Sequence, residues 1–405
     1  MVGERRFICA SLCLHLWLLR SRSAISARAP ADLGASQDET EEAQQMKRNR
    51  YVIGAAGAAA LAAFAWMALP GVSAAKTSGS STIPHFQHII EIMMENQKYG
   101  TIIGNSDAPN LNRLANTYGL ATNYFGVTHP SEPNYVANVG GDFFGIQDDN
   151  QFYCSPAYVA ANPLDTTCPS NTTVDHTVNA QSIADQLTAA GMTWKGYFQN
   201  LPPTPTALVK TGPNANGPYT FKWPTSAVAL YADKHNPFVN FVGTQDAVAK
   251  MVPDTQLFAD LADNTLPNLA YVVPDQCHDM HGTGTCTDLS QLVKLGDTYV
   301  GNLVDAIQAS PVWQRGRNAI VITWDEDDFS DVGQPGTGCC GADPGGGHVA
   351  TIVITNQGGQ QITDGTAYNH YSLLKTMEEA FGLPFLAHAG DSDVPAMAPL
   401  FNPGS

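Results

Sequence analysis

The chain has 405 residues, 43% of them apolar, which suits one large domain or two ordinary ones with a sizeable core. Its formal net charge of −17 excludes nucleic acid as the main partner, because phosphate-backbone binding needs clustered Lys and Arg. The same charge excludes broad attraction to an anionic membrane surface.

Two N-terminal stretches read as targeting rather than fold. Residues 1–45 hold an apolar run at 7–19 and a polar tail at 36–45. From Met46 onward, Lys47, Arg48 and Arg50 form a charged region, 52–69 an Ala-rich apolar stretch, and Val72, Ser73, Ala74 and Ala75 supply small residues for cleavage. That is the layout of a secretory signal peptide. The expectation is that Met46 is the true start and that residues 1–45 are an upstream over-extension. Cleavage near Ala74 or Ala75 then yields a secreted or cell-surface protein. The competing reading of 1–45 is a signal anchor. Residues 76–84 follow as a short linker, and 85–405 as the folded domain, with no membrane span in the mature chain. An exported chain can hold disulfides. Cys154 with Cys168 and Cys277 with Cys286 are the natural short-range pairs, leaving the adjacent Cys339 and Cys340. Spacing alone leaves other connectivities open.

In chain order, residues 86–94 form a mostly apolar run expected as a buried parallel strand, ending in Glu95 and Asn96. Residues 110–118 read as a helix and 120–127 as a strand. Residues 182–190 read as a helix stopped by Gly191, and 192–198 as a strand. Residues 200–250, rich in Pro, Asn, Thr and aromatics, read as a loop-rich insertion. Then come a helix at 255–262, a strand at 268–273, a long helix at 288–308, strands at 319–324 and 348–355, and a closing helix at 372–381. Alternating strands and helices predict an α/β sandwich with a mainly parallel sheet.

Open α/β sheets place their sites just past the carboxyl ends of strands. Several expected strands end there in chemically useful groups. The first leads to Glu95 and Asn96, the second to His129, Pro130 and Ser131. The strand at 268–273 leads to Asp275, His278, Asp279 and His281, and the strand at 319–324 to Asp325, Glu326, Asp327 and Asp328. Carboxylates and an amide oxygen suit a hard divalent cation (Mg, Ca or Mn), and imidazoles extend the choice to Zn or Fe. A cation beside a serine lowers the hydroxyl's pKa and neutralises phosphoryl charge. The bland alternatives are a solvated acidic loop at 325–328, a helix cap at Glu95 and Asn96, and a structural turn at 279–281. His348 and His370 are candidates to line the site, while His85, His88, His176, His235 and His388 are expected to be incidental. No Gly-x-Ser-x-Gly elbow, His-Glu-x-x-His or Walker A sequence occurs.

The order of these runs resembles the phosphoesterase family of secreted bacterial acid phosphatases and phosphatidylcholine-type phospholipases C. It is most similar to the short mycobacterial-type acid phosphatases that act on phosphatidylinositol 3-phosphate. The carrying runs are Met94-Glu95-Asn96, residues 103–105, THPSEPNY at 128–135, Asp279-Met280-His281, TWDEDD at 323–328, and 369–374 with 381–384. They span nearly all of the mature chain. The resemblance implies an alkaline-phosphatase-like three-layer fold and a phosphate-ester substrate, a phosphoinositide or phospholipid among the options. It implies Ser131 as nucleophile and Glu95, Asn96, Asp325 and Glu326 around a divalent metal. Asp279 and His281 would bind phosphate or metal or serve the leaving group, with His129 as the other proton donor. Gly282 departs from the pattern, where these phosphatases often carry an acidic residue, and so does the Cys339-Cys340 loop. Two other readings stay open: a phospholipase C-type phosphodiesterase on the same fold, and a non-catalytic cell-surface binding protein.

Overall fold

The computed structural model describes residues 83–149, 176–201, 230–245, 247–284, 286–358 and 361–402. The expectations for residues 1–75, for most of the 76–84 linker, for Cys154 and Cys168, and for residues 202–229 of the insertion lie outside the described residues. The strands are β1 (His88–Met94), β2 (Gly119–Phe125), β3 (Trp194–Phe198), β4 (Met251–Pro253), β5 (Leu269–Val273), β6 (Asn318–Trp324), β7 (His348–Thr355), β8 (Ile362–Asp364) and β9 (Tyr368–Asn369). The main helices are α1 (Pro109–Thr117), α2 (Ser131–Gly140), α3 (Ile183–Ala189), α4 (Thr255–Ala262), α5 (Leu289–Ala309) and α6 (His370–Phe381).

The strands form one sheet in the order β4-β3-β5-β1-β6-β7-β2-β8, with β9 also beside β2. Every residue of β5 and β6 is buried, and every residue of β1 except His88. Successive side chains of a strand point to opposite faces, so complete burial means that both faces are covered. Two groups of helices do the covering: α1 packs on α5, while α2, α3 and α6 pack on one another. The expected α/β three-layer sandwich with a mainly parallel sheet is therefore present.

The parallel core rests on apolar runs such as IIEIMM in β1 and AIVITW in β6. Helix starts follow local chemistry. Pro109 stands at the first position of α1, where its missing N–H costs nothing. The Asp288 side chain accepts from Gln291 N at the start of α5. Asn369 and Ser372 cap α6 reciprocally.

Direction decides where the chemistry goes. β7 runs antiparallel to both β6 and β2, and the other pairings are parallel. The carboxyl ends of β1, β2, β3, β5 and β6 thus share one rim with the amino end of β7. Two features add to the sequence expectation. Residues 131–140 form a helix that is buried throughout. Within the loop-rich 200–250 stretch, residues 233–235 and 237–239 form two single 3-10 turns, and Phe238 and Phe241 are buried in the core. Cys277–Cys286 and Cys339–Cys340 are disulfide-bonded. Among the described residues no helix is long and apolar enough to cross a membrane.

Candidate active site

Ser131 opens α2, and Asn134 one turn later explains how it is presented. The Asn134 side-chain oxygen accepts from Val127 N at 2.9 Å and Thr128 N at 3.1 Å. Its amide donates to Thr128 O at 2.8 Å and Pro130 O at 3.0 Å. The turn leaving β2 is thereby fastened to the helix it starts. Ser131 is buried, and its Oγ stands 3.0 Å from Glu326 Oε1, 3.1 Å from Glu95 Oε2 and 3.4 Å from Asn96 Oδ1. One hydroxyl has one proton, yet it faces three acceptor oxygens.

Those acceptors come from neighbouring strand ends. Glu95 and Asn96 follow β1, and Asp325 and Glu326 follow β6, the next strand in the sheet. Asp325 N donates to Met94 O at 3.0 Å, extending the ladder between β1 and β6 past the strand ends. Asn96 sits in the left-handed region at φ 41°, a conformation that costs a non-glycine residue of order 1 kcal/mol or more. There its N–H donates to Asp325 Oδ1 at 3.1 Å and its amide to Glu326 Oε1 at 3.0 Å. The helix-cap and solvated-loop alternatives do not describe these residues: Glu95, Asp325 and Glu326 are fully buried.

A second group lies on the β5 side. His235 Nε2 stands 3.1 Å from Glu95 Oε1, and its Nδ1 3.6 Å from Asp279 Oδ2. Its ring stacks on Tyr135 of α2 at 5.1 Å. Asp279 accepts from His281 N at 2.7 Å, and the His281 ring centre lies 5.8 Å from that of His235. His281 Nδ1 stands 2.8 Å from Gly282 O. Gly282 has φ +86°, and a Cβ there would meet Cys286 O at 2.7 Å, so this turn has no room for an acidic side chain. On the opposite flank His129 Nδ1 pairs with Glu326, and its Nε2 lies 3.6 Å from Asp327 Oδ1.

His235 was expected to be incidental, and Lys234 was not singled out. They lie in one short 3-10 turn without periodicity, inside a Pro- and Asn-rich stretch, and a Lys-His pair there names no chemistry. Lys234 Nζ is 2.7 Å from Asp149 Oδ2 and 3.5 Å from Ser131 Oγ. His176 was also expected to be incidental, but its Nδ1 lies 3.0 Å from Glu132 Oε1. Asn240 donates to the same oxygen at 2.8 Å, tying α2 to the 230–245 segment. The two candidate lining histidines stay out of the cluster. His370 is buried behind it, with Nε2 at 2.6 Å from Asp325 O and Nδ1 at 3.0 Å from Tyr124 OH, so it supports backbone. His348 stacks on Tyr99, with Nε2 2.9 Å from Thr122 O, because β7 begins one strand away from Glu326.

Burial dominates the electrostatics. It pushes the Glu95 carboxyl up to about 7, with Glu326 adding to the rise and Lys234 and His281 opposing it. Burial and then the Glu95 charge hold Asp325 and Asp279 well above the ordinary carboxylate range. Glu326 is raised by burial, against the pull of His129. Burial holds His370 down at about 4 and keeps His235 well below the usual imidazole value. Lys234 moves up: burial opposes its charge, but Asp149 and Glu95 outweigh burial.

Asp325 Oδ2 is buried without a hydrogen-bond partner among the described residues, and Glu95 Oε1 and Asp279 Oδ2 face the His235 ring nitrogens without hydrogen-bond geometry. Buried carboxylate oxygens in that condition call for protons or a cation. Among the described residues no three His, Cys, Asp or Glu side chains stand at ready ligand spacing. It is the donor chemistry that fits a hard cation: carboxylate, amide and hydroxyl oxygens converging on Ser131.

A buried serine among carboxylates at the carboxyl rim of a mainly parallel sheet is where an α/β fold places its catalytic groups. Residues 103–384 match the model of the phosphoesterase family. The chain belongs to that family and is a hydrolase of phosphoric esters. It is 28% identical to a phosphatidylinositol-3-phosphatase of Mycobacterium tuberculosis, over 84% of this chain and 89% of that protein. It is 26% identical to a phosphate-repressible acid phosphatase of Penicillium chrysogenum, over 74% of this chain but only 60% of that protein. Among solved structures, a protein in the alkaline phosphatase superfamily from Vibrio parahaemolyticus aligns with TM-score 0.45 and 13% identity, over 75% of this chain and 68% of that one.

Proposed function

We propose that the chain is a secreted, metal-assisted phosphomonoesterase with Ser131 as nucleophile. The observation that carries this reading is the Ser131 hydroxyl, held 3.0–3.4 Å from Glu326, Glu95 and Asn96 oxygens in a buried cluster. Glu95, Asn96, Asp325 and Glu326 would hold a divalent cation (Mg, Ca, Mn, Zn or Fe). When bound, such a cation neutralises phosphoryl charge and favours the ionised serine.

This chain's residues do the rest. Glu326 or Glu95 accepts the Ser131 proton, and Oγ attacks phosphorus in line. The ester oxygen departs as the Oγ–P bond forms, giving a phosphoseryl enzyme. His281 protonates the departing oxygen through Nε2, since its Nδ1 is engaged at Gly282 O. His129, already paired with Glu326, is the less available donor. Asp279 fixes the backbone of His281. Water then hydrolyses the seryl phosphate, with retention at phosphorus over the two steps. Positioning and charge neutralisation supply most of the acceleration. A phosphoinositide or related phospholipid monoester is the proposed substrate class, supported by the likeness to the mycobacterial phosphatidylinositol-3-phosphatase. The signal-peptide pattern at 46–75 supports secretion.

Ser131→Ala should lose at least about 1,000-fold in kcat on p-nitrophenyl phosphate with its fold intact by circular dichroism. Wild-type turnover in that variant overturns the nucleophile. Full activity after verified metal removal overturns the metal.

A further inference from the structure

We propose that Lys234 binds a phosphoryl oxygen and makes the site prefer dianionic monoesters to diesters. The inference rests on the Ser131 reading above and concerns what that site selects.

Lys234 lies in the single 3-10 turn Asp233–His235, at the level of the nucleophile. Its side chain is 18% exposed. Asp149 fixes it there: one carboxylate oxygen takes the ammonium at 2.7 Å, and the other accepts from Glu132 N at 2.9 Å. The same carboxylate thus holds both the first turn of the nucleophile's helix and the cation facing Ser131. An ammonium has three N–H donors. One is committed to Asp149 and a second lies toward Ser131 Oγ at 3.5 Å. A third remains. Once phosphorus is bonded to Oγ, its non-bridging oxygens come within about 2.9 Å of such a nitrogen.

Charge decides what the contact selects. Glu95, Asp279, Asp325 and Glu326 crowd the site, and each repels an incoming dianion to the extent that it is ionised and not neutralised by a cation. Among the described residues no other Lys or Arg side chain contacts Ser131; Lys98, for example, pairs with Asp328 at 2.9 Å, away from it. A monoester above its second pKa of about 6 carries two negative charges, one of which a diester lacks. A fixed ammonium beside phosphorus therefore gains more from the monoester than from the diester.

The test uses the full mature protein at pH 7. Wild type, Lys234→Gln and Lys234→Arg are assayed on p-nitrophenyl phosphate and on bis(p-nitrophenyl) phosphate, and inorganic phosphate binding is measured by calorimetry. The expected result for Lys234→Gln is a loss of about 100-fold in kcat/KM on the monoester, less than about 5-fold on the diester, and at least about tenfold weaker phosphate binding. Lys234→Arg should recover most of the monoester preference. Equal losses on both esters with phosphate binding unchanged mean that Lys234 only braces Asp149, and overturn the proposal. If wild type hydrolyses neither ester, the proposed function falls instead. Phosphate binding then decides Lys234 alone: weakening in Lys234→Gln upholds it as a phosphate ligand, and no change refutes it.

Discussion

Glu91 offers a direct measurement of how far burial governs this protein. It stands in the middle of β1, fully buried, with neither carboxyl oxygen in a well-formed hydrogen bond. Burial pushes its pKa from 4.5 up to about 8, with the Asn138 amide of α2 pulling slightly the other way. A raised carboxyl pKa favours folding while the group is protonated. The contribution is complete below pH 4.5 and is lost as pH climbs through 8. At about 1.4 kcal/mol per unit, the whole loss is about 5 kcal/mol, of which about 1 has gone by pH 5 and about 3 by pH 7. Glu91→Gln removes the ionisation and keeps the shape. Urea denaturation of both proteins at pH 5 and pH 7 should therefore show the variant gaining on wild type by about 2 kcal/mol between the two conditions. Subtraction cancels the other buried acids, which both proteins share. A gap that is the same at both values would refute the reasoning, because it would mean that Glu91 binds the same number of protons in the folded and unfolded states over this range.

Three further outcomes follow from the rim. Asn134→Ala removes four hydrogen bonds from the turn that presents Ser131 and should cost about 3 kcal/mol in denaturation midpoint experiments, with kcat falling more than KM rises. Retained kcat would show that the turn holds itself. Gly347→Ala places a Cβ 2.1 Å from Asp327 Cγ at a φ of +82°, so it should destabilise by about 2–4 kcal/mol and depress activity through the adjacent Glu326. A thermally unchanged, active variant would refute that. His370→Phe should lose stability with little change in the pH profile, since His370 holds Asp325 O from behind the site. A shifted acid limb would instead give it a proton-transfer role.

The parallel core was legible because its strands are long apolar runs with a polar residue at the end. IIEIMM running into Glu95 and AIVITW running into Asp325 announce both a buried strand and its rim. Neighbouring positions in the sheet then bring these groups to Ser131, which no spacing along the chain could reveal. The nucleophile's own helix was not legible. Residues 131–140 contain Pro133, two asparagines and Gly140, all weak helix formers, and burial on every side erases amphipathic period. The direction of β7 was equally hidden, because a fully buried strand reads the same either way. Lys234 and His235 escaped notice since short turns carry no repeat. They reach the site through long-range pairings with Asp149 and Glu95. His348 and His370 show the converse. A histidine near a strand end satisfies a backbone carbonyl as readily as it faces a substrate.

The antiparallel entry of β7 has a consequence for how this enzyme can diversify. A parallel neighbour must be reached by a crossover spanning the sheet, so its connection has a minimum length and a fixed path. The link from β6 to β7 starts and finishes on the same rim. Its ends are fastened where Asp327 N donates to Gly346 O at 2.8 Å and Gly346 N donates to Gly126 O at 2.9 Å. The Cys339–Cys340 end is held as well, by the Asn369 amide, which donates to Cys339 O at 3.0 Å, whereas residues 330–336 are exposed. Residues can be added or removed in that exposed 330–336 stretch at small entropic cost without disturbing the strands or the serine. The mouth of the site is therefore free to drift toward new substrates while the reaction centre beneath it stays as it is.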